Sequence, residues 1–181
     1  MQGSGVGLPK LWSKMENVPA QAPPAPAGQE LPIVVGTEEA TLDQKGRIRL
    51  PRKVHIALGK SFYLWFTPWG CFAAFPQAVW MRVVGEANAG PVLNLEALER
   101  TRRLGEFAEE TQCDDNGRFV IPYRLRQRAK WEGGDVVLVG CTNRLEIWRK
   151  QEYEAYEKDP EAYLRGCGMT GDTALDSQAG K

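Results

Sequence analysis

Two tracts of the 181-residue chain place an acid, a glycine and an arginine at identical spacing: DQKGRIRLP at 43–51 and, 71 positions later, DDNGRFVIP at 114–122. An aspartate three residues before a glycine suits a tight turn. Its carboxylate accepts backbone amides, and the glycine supplies a positive φ that a Cβ would penalise. The arginine that follows carries a planar fork of donors shaped for a phosphate or a guanine edge. Singly, such a tract closes hairpins in many proteins with no further task. Its duplication, with arginine after the glycine both times, points to a surface role in binding an anion.

Charge patterning strengthens that expectation. Lysine plus arginine and aspartate plus glutamate each number 23, so the formal net charge is zero. The cations are nevertheless concentrated. Lys45, Arg47, Arg49, Arg52, Lys53 and Lys60 follow the first aspartate with no acid among them, and Arg118, Arg124, Arg126, Arg128 and Lys130 follow the second tract's opening acids. The balancing acids lie in 86–110 and after Glu152, so basic and acidic faces are expected.

Other chemistry finds little support. His55 is the single histidine and sits among Val54, Ile56 and Leu58. Asp114 and Asp115 are neighbours that a strand would point to opposite faces. Cys71, Cys113, Cys141 and Cys167 form no CxxC pair, which argues for reduced thiols and against zinc. With no glycine-rich phosphate loop or serine elbow, no catalytic residue, metal, cofactor or small-molecule substrate is expected. The tryptophans and the FYLWF run read as packing residues rather than base-stacking platforms. The aromatic richness of that run suggests a subunit interface on the first half. No apolar run approaches the roughly 20 residues that span a bilayer, and the start lacks a cleavable leader pattern, so an intracellular protein is expected.

The elements that must position the motif follow from the surrounding pattern. With 43% hydrophobic and 25% charged residues, most of the chain has the composition of a globular fold. Residues 1–30 are rich in Pro and Ala and read as a flexible arm, and 166–181 as a flexible tail. In each motif the alternation puts Ile48 and Leu50, or Phe119 and Ile121, toward a core. Lys45, Arg47 and Arg49, or Arg118, then face outward. Each copy continues with a short helix (RKVHIALG, YRLRQRAKW), an apolar strand (FYLWF, VVLVG), a second strand (CFAAF, RLEIW) and a helix from Pro76 or Lys150. Between the copies, Leu95, Leu98 and Leu104 predict a connector helix packing one apolar stripe on the body. The whole reads as a duplicated unit folding against its twin.

TLDQKGRIRLP, DDNGRFVIPYRLRQRA and GGDVVLVGCTNRLEIWRKQEYEAY together resemble the MraZ family over roughly 36–158. The resemblance implies an α+β fold of two tandem swapped-hairpin (SpoVT-AbrB-like) β-barrel modules with short helices and a pseudo-twofold repeat. The first module would be 36–80, a helical connector 81–106, the second module 107–151 and a C-terminal helix 152–165. It further implies a transcriptional regulator of the bacterial cytoplasm and nucleoid. Such a regulator assembles into a ring-shaped homo-oligomer on double-stranded DNA, at repeated short sites upstream of the division and cell-wall genes. The family's DNA-facing element maps onto Asp43 with Arg47 and Asp114 with Arg118. Lys45, Arg49, Arg52, Lys53, Arg124 and Arg126 complete the expected DNA-binding set. The family carries arginine four residues after each motif proline; Arg126 keeps it, and His55 replaces it in the first copy. An oligomeric scaffold or protein-binding regulator of the same fold, without specific DNA recognition, is the alternative class.

Overall fold

The computed structural model describes residues 33–89 and 95–168; the expected arm, and the tail beyond 168, lie outside these residues. The first half runs β1 (Val34–Leu42), β2 (Arg47–Arg49), α1 (Arg52–Leu58), β3 (Ser61–Phe66), β4 (Phe72–Pro76) and α2 (Gln77–Ala87). After α3 (Leu95–Glu106), the second half runs β5 (Ala108–Gln112), β6 (Arg118–Val120), α4 (Tyr123–Ala129), β7 (Gly134–Thr142), β8 (Leu145–Arg149) and α5 (Lys150–Lys158). α6 (Pro160–Gly166) follows. Pro160 separates the last two helices, because its ring cannot continue the preceding one. Asp159 caps the new helix by accepting the Ala162 amide at 2.9 Å.

Six strands form one antiparallel sheet in the order β1-β7-β8-β4-β3-β5, and β2 pairs with β6 in a separate two-stranded ribbon. Exchanging each strand for its counterpart in the other half returns the same order reversed. The halves are interleaved, since β1 pairs only with β7 of the second half and β5 with β3 of the first. Among the described residues the strands do not close into the expected barrel. β1 and β5 remain sheet edges, and the two strands that could extend the sheet, β2 and β6, pair with each other instead.

The central strands β3, β4, β7 and β8 carry apolar runs because the sheet is covered on both faces there, whereas the edge strands β1 and β5 are more polar and more exposed. One face joins the ribbon and the short helices in a common core of Ile48, Leu58, Phe62, Leu64, Phe72, Phe119, Ile121, Leu125 and Ile147. Phe62 meets Phe119 edge-on at 5.2 Å, tying β3 to the ribbon. The other face packs under α2, where Ala73, Phe75, Val79, Trp80 and Leu104 cluster. Tyr63 stacks on Trp80 at 5.3 Å. Phe62, Leu64 and Phe66 of FYLWF pack on the first of these faces and Tyr63 and Trp65 on the second, with Tyr63, Trp65 and Phe66 only half-buried. On the β8 side of that face, Trp148 packs against Tyr153, Tyr156 and Tyr163 of α5 and α6.

The connector helix forms, but its apolar stripe is only partly buried. Leu104 is 9% exposed, Leu98 44% and Leu95 81%. Only the end of α3 nearest α2 and β5 reaches the body, so the leucines farther up the helix project into solvent.

Candidate nucleic-acid interface

Each motif loop is a small hydrogen-bonded device built from the aspartate. In the first, Asp43 Oδ1 accepts the amides of Lys45 at 2.9 Å and Arg47 at 2.8 Å, and Gly46 N donates to Asp43 O at 2.8 Å. In the second, Asp114 Oδ1 accepts Asn116 N at 2.9 Å and Arg118 N at 2.8 Å, and Gly117 N donates to Asp114 O at 2.9 Å. Gly46 and Gly117 have φ of +81° and +73°, which is why glycine stands at both.

The loops are stitched to one another across the halves. Ile121 N donates to Gly46 O and Leu50 N to Gly117 O, both at 2.8 Å. Between these ties, β2 and β6 pair Arg47 with Val120, Ile48 with Phe119 and Arg49 with Arg118. Ile48 and Phe119 are buried, so Arg47, Arg49, Arg118 and Val120 share the outward face. Directly opposed like charges destabilise a bare ribbon, and Arg49 and Arg118 are so opposed with no ion pair among the described residues. A surface of this kind favours an anionic partner.

The two arginines of the motif are held differently. Arg47 Nε donates to Asp43 Oδ2 at 2.6 Å. The Arg47 amide, followed by its guanidinium, holds the Asp43 carboxyl below its ordinary value. Arg118 has only its amide on Asp114, which leaves its guanidinium unpaired among the described residues. In the second loop Asp115 instead pairs with Lys60 at 2.7 Å, which lowers the carboxyl and raises the amine.

The structure gathers Asp43, Lys45, Arg47, Arg49, Asp114 and Arg118 onto the ribbon and its loops. The remaining expected residues lie on the adjoining helices. Arg52, at the start of α1, is exposed and makes no ion pair among the described residues. Lys53 pairs with Glu38 of β1 at 2.9 Å, and its counterpart Arg124 pairs with Glu109 of β5 at 2.8 Å. Both are thus engaged as ties between a short helix and an edge strand. Arg126 is half-buried, donating from Nε to Ile121 O at 3.1 Å and from Nη1 to Gln44 O at 3.4 Å. The acids of these ties escape a reading centred on cations. Their signal was available: Glu38 and Glu109 each stand five residues before the motif aspartate, and Lys53 and Arg124 two after the motif proline.

Among the described residues no group of three His, Cys, Asp or Glu side chains could hold a metal, and no helix is long and apolar enough to cross a membrane. Burial pushes the thiols of Cys71, Cys113 and Cys141 up, that of Cys141 to about 11, so thiolate chemistry is disfavoured at neutral pH.

Residues 106–164 match the family described as "MraZ protein, putative antitoxin-like". The transcriptional regulator MraZ of Caldanaerobacter subterraneus subsp. tengcongensis is 33% identical over 129 residues, covering 71% of this chain and 90% of that protein. The chain belongs to the MraZ family. The MraZ of Lactiplantibacillus plantarum is 33% identical over 127 residues, covering 70% of this chain and 89% of its own length. That of Heliobacterium modesticaldum is 31% identical over 132 residues, covering 72% and 92%. These MraZ relatives carry the name of a transcriptional regulator, not of an enzyme. The MraZ match at 106–164 contains the second loop and β6, while the first loop and β2 lie outside it.

Proposed function

We propose that the β2–β6 ribbon is a DNA-reading surface and that this MraZ-family chain regulates transcription by binding double-stranded DNA. The observation that carries the reading is the outward quartet of Arg47, Arg49, Arg118 and Val120, in which two guanidinium groups face each other without an acid between them. A two-stranded ribbon fits the major groove of B-DNA, where arginine contacts phosphate or guanine and an apolar side chain suits the thymine methyl. Lys45 and Arg52 flank the quartet as phosphate contacts, which position the protein without reading sequence.

The sheet order that survives exchange of the halves supports two tandem swapped-hairpin modules related by a pseudo-twofold axis. One ribbon offers few contacts, so affinity is built by a ring-shaped homo-oligomer engaging repeated short sites, through high effective concentration rather than stronger single contacts. On this reading those sites lie upstream of the division and cell-wall genes, and the protein acts in the cytoplasm at the nucleoid.

A salt titration of binding to DNA from upstream of the protein's own gene tests this. Affinity should fall linearly in log salt. Arg118→Ala should cost about 1–3 kcal/mol at the preferred site if it reads a base, or reduce the salt slope by about 1 if it meets a phosphate. Equal affinity for upstream and random DNA would sink the regulator reading and favour the scaffold.

A further inference from the structure

Arg126 lies on α4, in the second half of the chain, but its guanidinium works on the first motif loop. It lines an open groove of about 1040 Å³ with Asp43, Gln44, Tyr123, Gln127 and Lys130, where a phosphate contact would be the ordinary expectation. Two of its donors are directed to backbone carbonyls instead. Nε holds Ile121 O at the end of the ribbon, Nη1 reaches Gln44 O inside the loop, and Cζ sits 5.6 Å from the centre of the Tyr123 ring. The side chain also passes directly beneath Gly46, where an added Cβ would come within 2.7 Å of Cζ. The guanidinium thus bridges two backbone carbonyls 77 positions apart, Gln44 and Ile121, and fills the space that the glycine leaves open.

The corresponding residue of the first half is His55. It packs beneath Gly117 of the second loop, where an added Cβ would lie 3.5 Å from His55 Cβ and Cγ. An imidazole is too short to bridge carbonyls as the guanidinium does. The second loop therefore has the packing without the double tie.

We infer that Arg126 is a positioning residue that holds the first motif loop, and Arg47 with it, from the opposite half of the chain. The tie fixes Gln44 against the ribbon end. Gly46 follows through its carbonyl bond from Ile121 N, and Arg47 through the Asp43 turn. Arg126 then serves site preference through Arg47 rather than by touching DNA, an inference that rests on the DNA-binding reading above.

The test uses the full chain carrying Arg126→Ala or Arg126→Lys, with melting temperature recorded for each. Lysine keeps the charge but is a single point donor that cannot bridge both carbonyls. Amide hydrogen exchange should quicken at Gly46 and Arg47 in both variants, with Asn116 and Arg118 unchanged as the internal reference. Unchanged exchange at Gly46 and Arg47 would overturn the inference, whatever the DNA result. Preference for upstream over random DNA should fall on the order of tenfold in both variants, with the salt slope of binding to random DNA preserved. A slope reduced by about 1 in Arg126→Ala and restored in Arg126→Lys would show a direct phosphate contact instead. In an Arg47→Ala background Arg126→Ala should cost nothing further, whereas in an Arg118→Ala background its cost should add in full. If the wild-type protein shows no site preference, the DNA-binding reading fails and the exchange data alone decide the positioning role.

Discussion

Asp43 and Asp114 accept the same two backbone amides each, so the two loops have one backbone and differ in what their side chains reach. Gly46 is the position where that difference becomes measurable. Its φ of +81° is close to the +73° of Gly117 at the corresponding place of the second loop, but an added Cβ would come within 2.7 Å of Arg126 Cζ at Gly46, whereas the tightest contact at Gly117 would be Leu50 O at 3.1 Å. Both Gly46→Ala and Gly117→Ala pay the left-handed backbone penalty of about 1–2 kcal/mol. Gly46→Ala should cost more, because the Arg126 guanidinium must also move; denaturant midpoints of the two variants measure the excess. Equal costs would show that Arg126 yields freely. The turn glycine, the outward arginines and the inward Ile48 and Phe119 were legible from alternation and residue type. The bridge from Arg126 to Gln44 was not, since nothing local to either residue joins positions 82 apart.

At the scale of elements, the C-terminal helices are held by aromatic packing rather than by their own sequence. α6 has no buried residue by itself, yet Tyr163 packs against Trp148 and its hydroxyl donates to Trp69 O at 3.2 Å, anchoring the helix on the β3–β4 turn. Burial, with the Glu152 charge second, pushes the Tyr163 phenol up to about 12. An unfolded tyrosine ionises near 10, so the neutral phenol stabilises the fold fully below that pH, and the contribution is lost as pH rises through 12. Tyr163→Phe should lose about 0.5–1.5 kcal/mol at neutral pH for the missing hydrogen bond. Its deficit relative to wild type should shrink between pH 10 and 12 in thermal melts followed by circular dichroism. A deficit constant across that range would mean the phenol does not titrate with unfolding. The strands and short helices followed from apolar runs and from the motif prolines. The exposure of Leu95 and Leu98 did not, because helical spacing identifies a stripe but not whether a body lies against its whole length.

For the whole molecule, the consequential feature is that neither half completes its own sheet: β3 pairs with β4 and β7 with β8 within a half, but the other strands do not. β1 and β2 find their partners β7 and β6 only in the second half, and β5 finds β3 only in the first. A fragment of residues 33–89 should therefore not fold as a monomer. It should gain structure only when mixed with 95–168 or by pairing with a second copy of itself, as sedimentation combined with circular dichroism would show. A folded monomeric 33–89 fragment would contradict the interleaved topology. The intact chain should unfold in one cooperative transition, because the common core draws Ile48, Phe62, Phe119 and Ile147 from both halves.

What the sequence determined by itself was local: turn chemistry at Asp43 and Asp114, the inward and outward sides of each short strand, the clustering of cations after each motif, and the repeat at 71 positions. These depend on bonding and periodicity within a few residues, which one chain displays directly. Only the tertiary structure decided that Arg49 faces Arg118, that Lys53 and Arg124 are tied to Glu38 and Glu109, and that Arg126 serves the loop of the other half. The two ion pairs join a short helix to an edge strand 15 positions earlier, while the Arg49–Arg118 and Arg126–Gln44 contacts depend on register between segments some 70 to 80 residues apart. Register is chosen by how the shared core packs, which no local pattern records.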